Sequence, residues 1–315
     1  MKVLVIQTRF GIGDMIIFSP YLKAISEKND VKLSLLAKES SKANELFKDE
    51  NFIDEVIKLD STNDRILGFS KLTREIKNKN FDKVFIFNGS IRYRFLAIFS
   101  GIKEIYQYPF FTSNDIIFQT AKVFTENYVK KVLSTKPFIN LNSKTVIDVK
   151  NKFNFTNNFK YIVLGISASG PTKRWDIENY INLAIKLNEI KNCKFIIAAG
   201  KNDTEIINKI KKSKIGKNCL SLENFSIKDT LPVIKNCDLY IGNDTGFMHI
   251  SAALGVKTIS LFVDSPAYSY SGYSDNIEAI VPEGETLEST THDTLGKNKI
   301  SFEKVFKKTK EYLIS

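Results

Sequence analysis

The chain has 315 residues, of which 43% are hydrophobic and 26% are charged, a composition typical of a folded globular protein. Its length exceeds what one hydrophobic core usually accommodates, so we expect two domains. The net charge of +11 predicts either a solvated Lys-rich surface or attraction to a polyanion, such as an anionic lipid or a phosphorylated substrate. No segment resembles a nucleic-acid-binding module, so no nucleic-acid partner is expected, and no apolar run is long enough to span a bilayer.

The first residues, Met-Lys-Val-Leu-Val-Ile-Gln, turn polar too soon for a signal peptide, and we interpret them as the first strand. The cysteines Cys193, Cys219 and Cys237 show neither close pairing nor metal-ligand spacing. Without an export signal, they are expected to be reduced core residues of a cytoplasmic protein. The basic charge adds peripheral contact with the inner face of an anionic membrane as a further expectation.

Short apolar runs alternate with amphipathic segments in the first half of the chain. The predicted strands are 2–7, 31–37, 55–59 and 83–87, and the predicted helices are 15–27, 41–48 and 64–78. This alternation indicates a parallel sheet with helices on both faces. Residues 101–149 show no clear period. The aperiodic, Asn-rich stretch 150–160 predicts the boundary between domains 1–155 and 156–315.

The second half alternates in the same way. The predicted strands are 161–166, 194–199, 238–243 and 258–263. The apolar spacing also predicts a helix over Ile177–Ile190, with Asp176 as its N-cap and Trp175 packed on Tyr180 as a hydrophobic staple. Segment 301–313 is a basic amphipathic helix that we expect to dock on its domain, with membrane binding as the alternative. Two α/β halves in tandem are the simplest architecture.

A glycine-containing loop, Arg9-Phe-Gly-Ile-Gly-Asp14, follows the first predicted strand. Gly11 and Gly13 permit a tight turn and close approach of a ligand to the backbone. Their spacing does not complete Gly-x-Gly-x-x-Gly, so no dinucleotide fingerprint is predicted. Asp14 is either a carboxylate that caps the next helix or a general base at the carboxyl edge of the sheet, where open α/β folds bind ligands.

A second loop, 165–175, also joins a strand to a helix. Ser167, Thr172 and Lys173 are candidates to surround a phosphate, with Lys173 as its counter-charge. The loop lacks the Gly-Lys-Ser/Thr order of a P-loop, so ATP hydrolysis of that type is not expected. An ordinary polar loop is the alternative interpretation.

A third segment, Asp244-Thr-Gly-Phe-Met-His249, marks the end of a strand and the start of a helix. The first-turn amides and the helix dipole at Asp244, Thr245 and Gly246 suit a phosphate. His249 lies one turn into the helix on the same face, so it is a candidate ligand contact, with a structural role as the alternative. Asp244 is alternatively a helix cap.

The second and third loops together predict a pyrophosphate site in the second domain. Asp14 would add a carboxylate from the first domain. A phosphate donor held by one α/β domain and a carboxylate supplied by the other indicate group transfer.

These motifs resemble those of a known family. The stretch from Gln7 to Pro20 is similar to the N-terminal motif of the bacterial lipopolysaccharide heptosyltransferases, glycosyltransferase family 9. Pro-Thr-Lys-Arg-Trp175 resembles the family's Lys-x-Trp motif, and Asp244–Gly255 resembles its most diagnostic one. Phe87-Asn-Gly-Ser-Ile-Arg92 with Gly101 is similar to a weaker pattern. The motifs occur in the family's order.

The resemblance implies a GT-B fold, in which two Rossmann-like, doubly wound parallel-sheet domains face a cleft and the second binds the donor. It implies inverting transfer of a sugar, commonly from ADP-heptose, to a lipid-linked or phosphorylated glycan, with no metal or other cofactor. Asp14 would then be the base, and Ser167, Thr172, Lys173 and the Asp244–Gly246 amides would hold the donor diphosphate. His249 would contact the same donor end.

One departure concerns the nucleotide. Family members often carry a ribose-binding Glu where this chain has Lys228, which leaves Asp229 as the candidate ribose contact or as part of a helix cap. The alternative functions are transfer from a different nucleotide sugar, epimerisation of a nucleotide sugar, and non-catalytic binding of a sugar nucleotide.

The sequence does not define the acceptor. The basic residues Arg92, Arg94 and Lys103 are candidates to contact its phosphates, and a solvated basic face is the alternative interpretation of them.

Overall fold

A computed structural model describes residues 1–61, 66–110 and 116–314. The chain divides into two compact units, Met1–Asn140 and Leu141–Ser315. The division lies earlier than the predicted boundary between residues 155 and 156, because a helix that precedes the Asn-rich stretch packs within the second unit. This helix spans Ser143–Lys152, and its Val146 O accepts a hydrogen bond from Asn236 Nδ2 at 3.1 Å.

The first unit is a five-stranded parallel sheet with the strand order β3-β2-β1-β4-β5. Its strands are β1 Val3–Gln7, β2 Leu33–Lys38, β3 Ile53–Leu59, β4 Lys83–Ile86 and β5 Glu104–Gln107. Its helices are α1 Ile12–Ile17, α2 Ser19–Asn29, α3 Ala43–Leu46, α4 Ile66–Lys79, α5 Ile91–Phe99 and α6 Ile117–Val129. All four strands predicted here are confirmed.

The predicted helices of this unit differ in detail from the observed ones. Segment 15–27 forms two helices that are separated at Phe18, and Pro20 lies in the first turn of the second, where its missing N–H costs nothing. Segment 41–48 contains only the four-residue helix α3. The first residues of predicted helix 64–78 lie outside the described residues. β5 and α6 occupy the stretch in which no period was evident.

The second unit begins with α7, Ser143–Lys152, and is built on a six-stranded parallel sheet with the order β11-β10-β9-β6-β7-β8. Its strands are β6 Lys160–Gly165, β7 Cys193–Ile197, β8 Cys219–Ser221, β9 Leu239–Asn243, β10 Lys257–Leu261 and β11 Ile277–Ile280. The remaining helices are α8 Ile177–Ile190, α9 Thr204–Lys212, α10 Ile227–Lys235, α11 Gly246–Ala253, α12 Ala267–Ser271 and α13 Phe302–Ile314. The predicted strands and the helix over Ile177–Ile190 are confirmed.

Each sheet reverses its winding at one pair of neighbouring strands. In the first unit this switch point lies between β1 and β4, and in the second it lies between β6 and β9. Ligands of open α/β sheets bind beyond the carboxyl ends of such strands. The sequence motifs follow these strands: 8–14 follows β1, 87–92 follows β4, 166–175 follows β6 and 244–249 follows β9.

Local packing explains how α8 begins. The rings of Trp175 and Tyr180 meet edge to face with centroids 5.0 Å apart, which confirms the staple. Asp176 occupies the N-cap position, but its side chain makes no capping hydrogen bond and pairs instead with Lys297 Nζ at 2.7 Å.

The C-terminal helix α13 docks on its own unit, as predicted. Val305 and Leu313 are buried in the core, and Phe302 and Phe306 pack partly buried against it. Its apolar face is therefore used inside the unit. Within the described ranges, no helix combines the length and the apolar character needed to cross a membrane.

The three cysteines are free thiols, and Cys193 and Cys237 are buried. Burial raises the pKa of the Cys219 thiol to about 12 and that of Cys193 to about 11. Thiols held protonated in this way are poor nucleophiles, in keeping with the predicted core role.

Candidate functional site

The structure places Asp14 in the first turn of α1, directly beyond β1. Its Oδ2 accepts a hydrogen bond from the Gly11 amide at 3.3 Å, and its Oδ1 accepts one from Arg9 Nε at 3.1 Å. A Cβ on Gly11 would lie 3.1 Å from Asp14 Oδ2, so the glycine leaves room for this close contact. Asp14 thus caps the helix, while its side chain stays 14% exposed at the carboxyl edge of the sheet. Both predicted roles are compatible with this placement.

A cavity of about 150 Å³ lies beside this loop, within the first unit. Its lining comes from the loops after β1, β4 and β5, from Phe18 between α1 and α2, and from α6, and includes Arg9, Asn88, Gly89 and Thr120. Asn88 Nδ2 donates to Thr8 Oγ1 at 2.8 Å, which ties the two loops together. The weaker motif 87–92 therefore lies next to the Asp14 loop, on neighbouring strands of one sheet edge.

In the second unit, the predicted phosphate loop is held by a buried amide that the sequence analysis did not single out. Asn243 Oδ1 accepts from the Trp175 amide at 3.0 Å, and Asn243 Nδ2 donates to Ser167 O at 3.0 Å. Asn243 is fully buried at the end of β9. It therefore fixes the loop after β6 against the loop after β9, which brings the two predicted phosphate segments to one place.

Paired glycines let these strands approach closely. A Cβ on Gly242 would lie 2.4 Å from the Cα of Gly165 on the neighbouring strand, and a Cβ on Gly165 would collide with the Tyr240 hydroxyl. That hydroxyl donates to Asn243 O at 2.9 Å. Larger residues at either glycine would push apart the strands from which both loops start.

Two predicted phosphate ligands are bonded to carboxylates of the protein. Ser167 Oγ donates to Asp203 Oδ2 at 2.7 Å, and Asp203 also pairs with Arg174 Nη2 at 2.9 Å. The Thr172 hydroxyl bonds to Asp264. In this arrangement both hydroxyls shape the loop. Lys173, in contrast, is half-buried, and its ammonium makes no hydrogen bond or ion pair within the described residues. It is the loop's available cation.

Asp264, which follows β10, anchors the same loop and is 5% exposed. Its Oδ1 accepts from the Leu295 amide at 3.0 Å. Burial by itself would raise the pKa of this carboxyl, but the Leu295 amide, the Thr172 hydroxyl, the Asp293 amide and the nearby Lys173 charge outweigh it and hold the pKa below its ordinary value. Its place after a strand at the carboxyl edge was the sequence signal that could have identified it.

We expect Asp264→Asn to lower the melting temperature of the second unit by about 3–6 °C at neutral pH, because hydrogen bonds to a buried carboxylate are replaced by weaker ones. The lowered pKa means that the unfolded chain binds more protons as the pH falls. This stabilisation is therefore present above the ordinary value of 3.8 and is lost as the pH falls through the folded value. Calorimetry should show the difference from the wild type shrinking at acid pH. The exposed Asp275→Asn is the control, and a pH-independent difference would contradict the assignment.

The third segment forms the strand-to-helix junction that the sequence predicted. Thr245 is the N-cap of α11, and its carbonyl accepts from the Met248 amide at 3.0 Å, which leaves the Gly246 and Phe247 amides at the start of the first turn. The Asp244 amide bonds to Leu261 O at 3.4 Å, so it is already engaged. The amides available to an anion are therefore those of Thr245, Gly246 and Phe247.

His249 lies behind Asp244 and is 3% exposed. Its Nδ1 shares a 2.6 Å hydrogen bond with Tyr273 Oη, and its Nε2 lies 3.5 Å from Asp244 Oδ1. Burial, followed by the Asp244 charge, keeps the pKa of Tyr273 well above its ordinary value, so its phenol stays protonated beside the ring. Both ring nitrogens thus face protein atoms, which is the structural role that the sequence offered as the alternative.

The nucleotide-related residues lie at the start of α10. Asp229 accepts a hydrogen bond from the hydroxyl of the N-cap residue Ser226, and both Asp229 and Lys228 are exposed. This is the helix-cap arrangement that the sequence offered as one of the two interpretations of Asp229. In the part of the chain that the structure describes, no group of three or more His, Cys, Asp or Glu side chains is placed to hold a metal ion.

Comparison with known proteins decides among the function classes. The model of glycosyltransferase family 9 (heptosyltransferase) matches residues 69–298, which is most of the chain and includes the Lys173 and Asp244 loops. The chain belongs to glycosyltransferase family 9. This family 9 member is therefore a glycosyltransferase enzyme, which confirms the resemblance seen in its motifs.

Relatives of this family 9 enzyme match along most of their length. It is 28% identical over 258 residues to lipooligosaccharide heptosyltransferase 2 of Campylobacter jejuni, covering 80% of this chain and 77% of the relative.

Among solved structures, the family 9 enzyme is similar to E. coli ADP-heptose lipopolysaccharide heptosyltransferase II, with a TM-score of 0.78, 17% identity and coverage of 100% and 99% of the two chains. It is also similar to the family 9 glycosyl transferase of Veillonella parvula, with a TM-score of 0.81, 19% identity and coverage of 99% of this chain and 97% of that one. With the two parallel sheets, this likeness confirms the predicted GT-B fold.

Proposed function

We propose that this enzyme moves heptose from ADP-heptose to a lipid-linked or phosphorylated glycan of the lipopolysaccharide-core type, with inversion at the anomeric carbon. The observation that carries the proposal is the family match across the Lys173 and Asp244 loops, together with their position at the switch point of the second sheet. The printed names of relatives support the substrate class, since they include heptosyltransferases of lipooligosaccharide and of lipopolysaccharide, and one names ADP-heptose.

In the proposed reaction, Asp14 accepts the proton of the acceptor hydroxyl as its oxygen attacks the anomeric carbon. The bond from that carbon to the diphosphate breaks, and the nucleoside diphosphate leaves with the electron pair. The contacts of Arg9 and the Gly11 amide to the two Asp14 oxygens hold the carboxylate in one orientation. We assign acceptor binding to the first unit, which carries this base.

We assign donor binding to the second unit. Lys173 and the first-turn amides of α11 would offset the charge that builds on the leaving diphosphate, so the proposal requires no metal ion. Ser167 and Thr172 would shape the loop through Asp203 and Asp264, and their hydroxyls remain candidates for a secondary donor contact. Asp244, with His249 next to its carboxylate, would meet the donor next to the same amides.

We also propose that the enzyme works in the cytoplasm, at the inner face of the membrane. A lipid-linked acceptor is confined to a bilayer surface, and the net charge of +11 favours one with anionic lipids.

A donor panel tests this proposal. With a heptose-acceptor glycolipid, we expect ADP-heptose to be transferred at least about tenfold faster than GDP- or UDP-sugars, because a site that hydrogen-bonds one nucleotide rejects others. Product anomericity, read by NMR, tests inversion. Isomerised donor in the absence of acceptor would indicate an epimerase, and binding without turnover would indicate a non-catalytic protein.

A transferase for a different nucleotide sugar is the second candidate. The observation that favours it is Lys228, an exposed cation where family members often carry a ribose-binding Glu. Faster transfer from a GDP- or UDP-sugar in the same panel would support it.

A further inference from the structure

Helix α5 exposes large apolar side chains on its solvent side. Its inner face buries Tyr93, Leu96 and Ala97. Its outer face presents four apolar residues with exposed fractions of 43–58%, namely Ile91, Phe95, Ile98 and Phe99. At 100° per residue, these four lie within one arc of about 100°, opposite the buried side. We call them the α5 stripe.

The stripe is continuous rather than scattered. The rings of Phe95 and Phe99 stack with centroids 5.8 Å apart, and Phe99 meets Phe69 of α4 edge to face at 6.4 Å. Exposed apolar residues that cluster in this way mark contact sites more often than single ones do.

The stripe has a basic surround. By the same helical geometry, Arg94 borders it on one side and Arg92 on the other, where the Arg92 guanidinium lies 5.9 Å from the centre of the Phe69 ring. These two arginines are half-buried, and the exposed cations of the same region are Lys71, Arg74 and Lys77 of α4 and Lys103 just after α5. Of the carboxylates nearby in the chain, Glu104 is paired with Lys83 at 3.3 Å and Glu75 is half-buried. Within the described residues of α4 and α5, Arg and Lys side chains therefore outnumber carboxylates.

We propose that the α5 stripe and its cations dock the enzyme on an anionic lipid bilayer. Apolar side chains that enter the interface, with Arg and Lys around them at the level of the headgroups, are what such a surface binds. The other amphipathic candidate, α13, buries its apolar face within its own unit. The overall charge of +11 has the sign that this partner requires.

The position of the stripe connects it to the acceptor. α5 starts directly after Asn88 and Gly89, which line the cavity beside the Asp14 loop. A bilayer held against α5 would bring lipid-anchored sugars to that edge of the sheet. This step rests on the proposed lipid-linked acceptor, whereas docking itself can be measured without substrate.

Co-sedimentation of the full chain with vesicles tests the docking. We expect binding to vesicles of phosphatidylcholine and phosphatidylglycerol that weakens with salt, and little binding to phosphatidylcholine alone. Phe95→Ser/Phe99→Ser should lower the partition coefficient about tenfold. Arg94→Gln/Lys103→Gln should lower it about fivefold per charge removed. Val132→Ser/Ile147→Ser, which changes two exposed apolar residues elsewhere, is the matched control and should bind like the wild type.

A second stripe variant, Ile91→Ser/Ile98→Ser, repeats the test. It is needed if the double Phe variant melts at a lower temperature than the wild type, because lost binding could then reflect lost folding. Wild-type binding by both stripe variants would overturn the proposal. A wild-type protein that does not bind anionic vesicles would also overturn it, and this includes a protein that dimerises through the stripe instead. Transfer to acceptor in vesicles should fall in the stripe variants while transfer to acceptor in detergent stays unchanged. An enzyme that docks but transfers no sugar would refute the proposed function and leave the docking intact.

Discussion

Asp14→Asn is expected to lower turnover by about a hundred- to ten-thousandfold while donor binding stays nearly intact. The amide has no basic oxygen to take the proton of the acceptor hydroxyl. Its carbonyl oxygen can still accept from Arg9 Nε or from the Gly11 amide, so α1 should still form. Transfer rates at saturating donor and acceptor measure the loss, and calorimetric titration with ADP measures donor binding.

The matched control is Asp82→Asn. Asp82 precedes β4, so it lies at the opposite, amino edge of the same sheet, where its carboxylate accepts from the Lys2 amide at 2.7 Å. Its variant should turn over like the wild type. An Asp14→Asn enzyme with wild-type turnover would show that the carboxylate only caps α1.

Lys173→Ala is expected to weaken ADP binding by about tenfold to a hundredfold, because a charge-assisted contact to a phosphate is lost. Its charge adds the last of the contributions that lower the pKa of Asp264, but within the described residues the ammonium makes no hydrogen bond or ion pair, so removing it should leave the loop in place. Calorimetry with ADP gives the affinity, and the melting temperature reports on the loop.

Lys191→Ala provides the comparison. This exposed lysine lies between α8 and β7, at the amino edge of the second sheet, away from the predicted donor loops. It should bind ADP like the wild type. Unchanged affinity in Lys173→Ala would remove Lys173 from the donor site, and a large fall in its melting temperature would reassign it to folding.

Much of the architecture was predictable because it depends on local patterns. The first four strands and the helix over Ile177–Ile190 follow from apolar periodicity, and the packing of Trp175 on Tyr180 follows from their spacing. The compact units divide after Asn140 rather than at the predicted residues 155 and 156, because the Asn-rich stretch forms a turn inside the second unit. The position of α7 in that unit depends on contacts such as the one from Asn236, which is distant in the chain.

The features of the candidate site also fall into those that local sequence predicts and those that depend on tertiary contacts. By itself the sequence determined the family, the two-sheet architecture and the loops after β1, β6 and β9, because a motif between a strand and a helix is a local property. Only the tertiary structure decided that Ser167 and Thr172 bond to Asp203 and Asp264, and that His249 lies buried behind Asp244. It also decided that α5 is apolar on the face it turns to solvent. The physical reason is that a side chain's partner and exposure are set by residues far away in sequence, which no local period records.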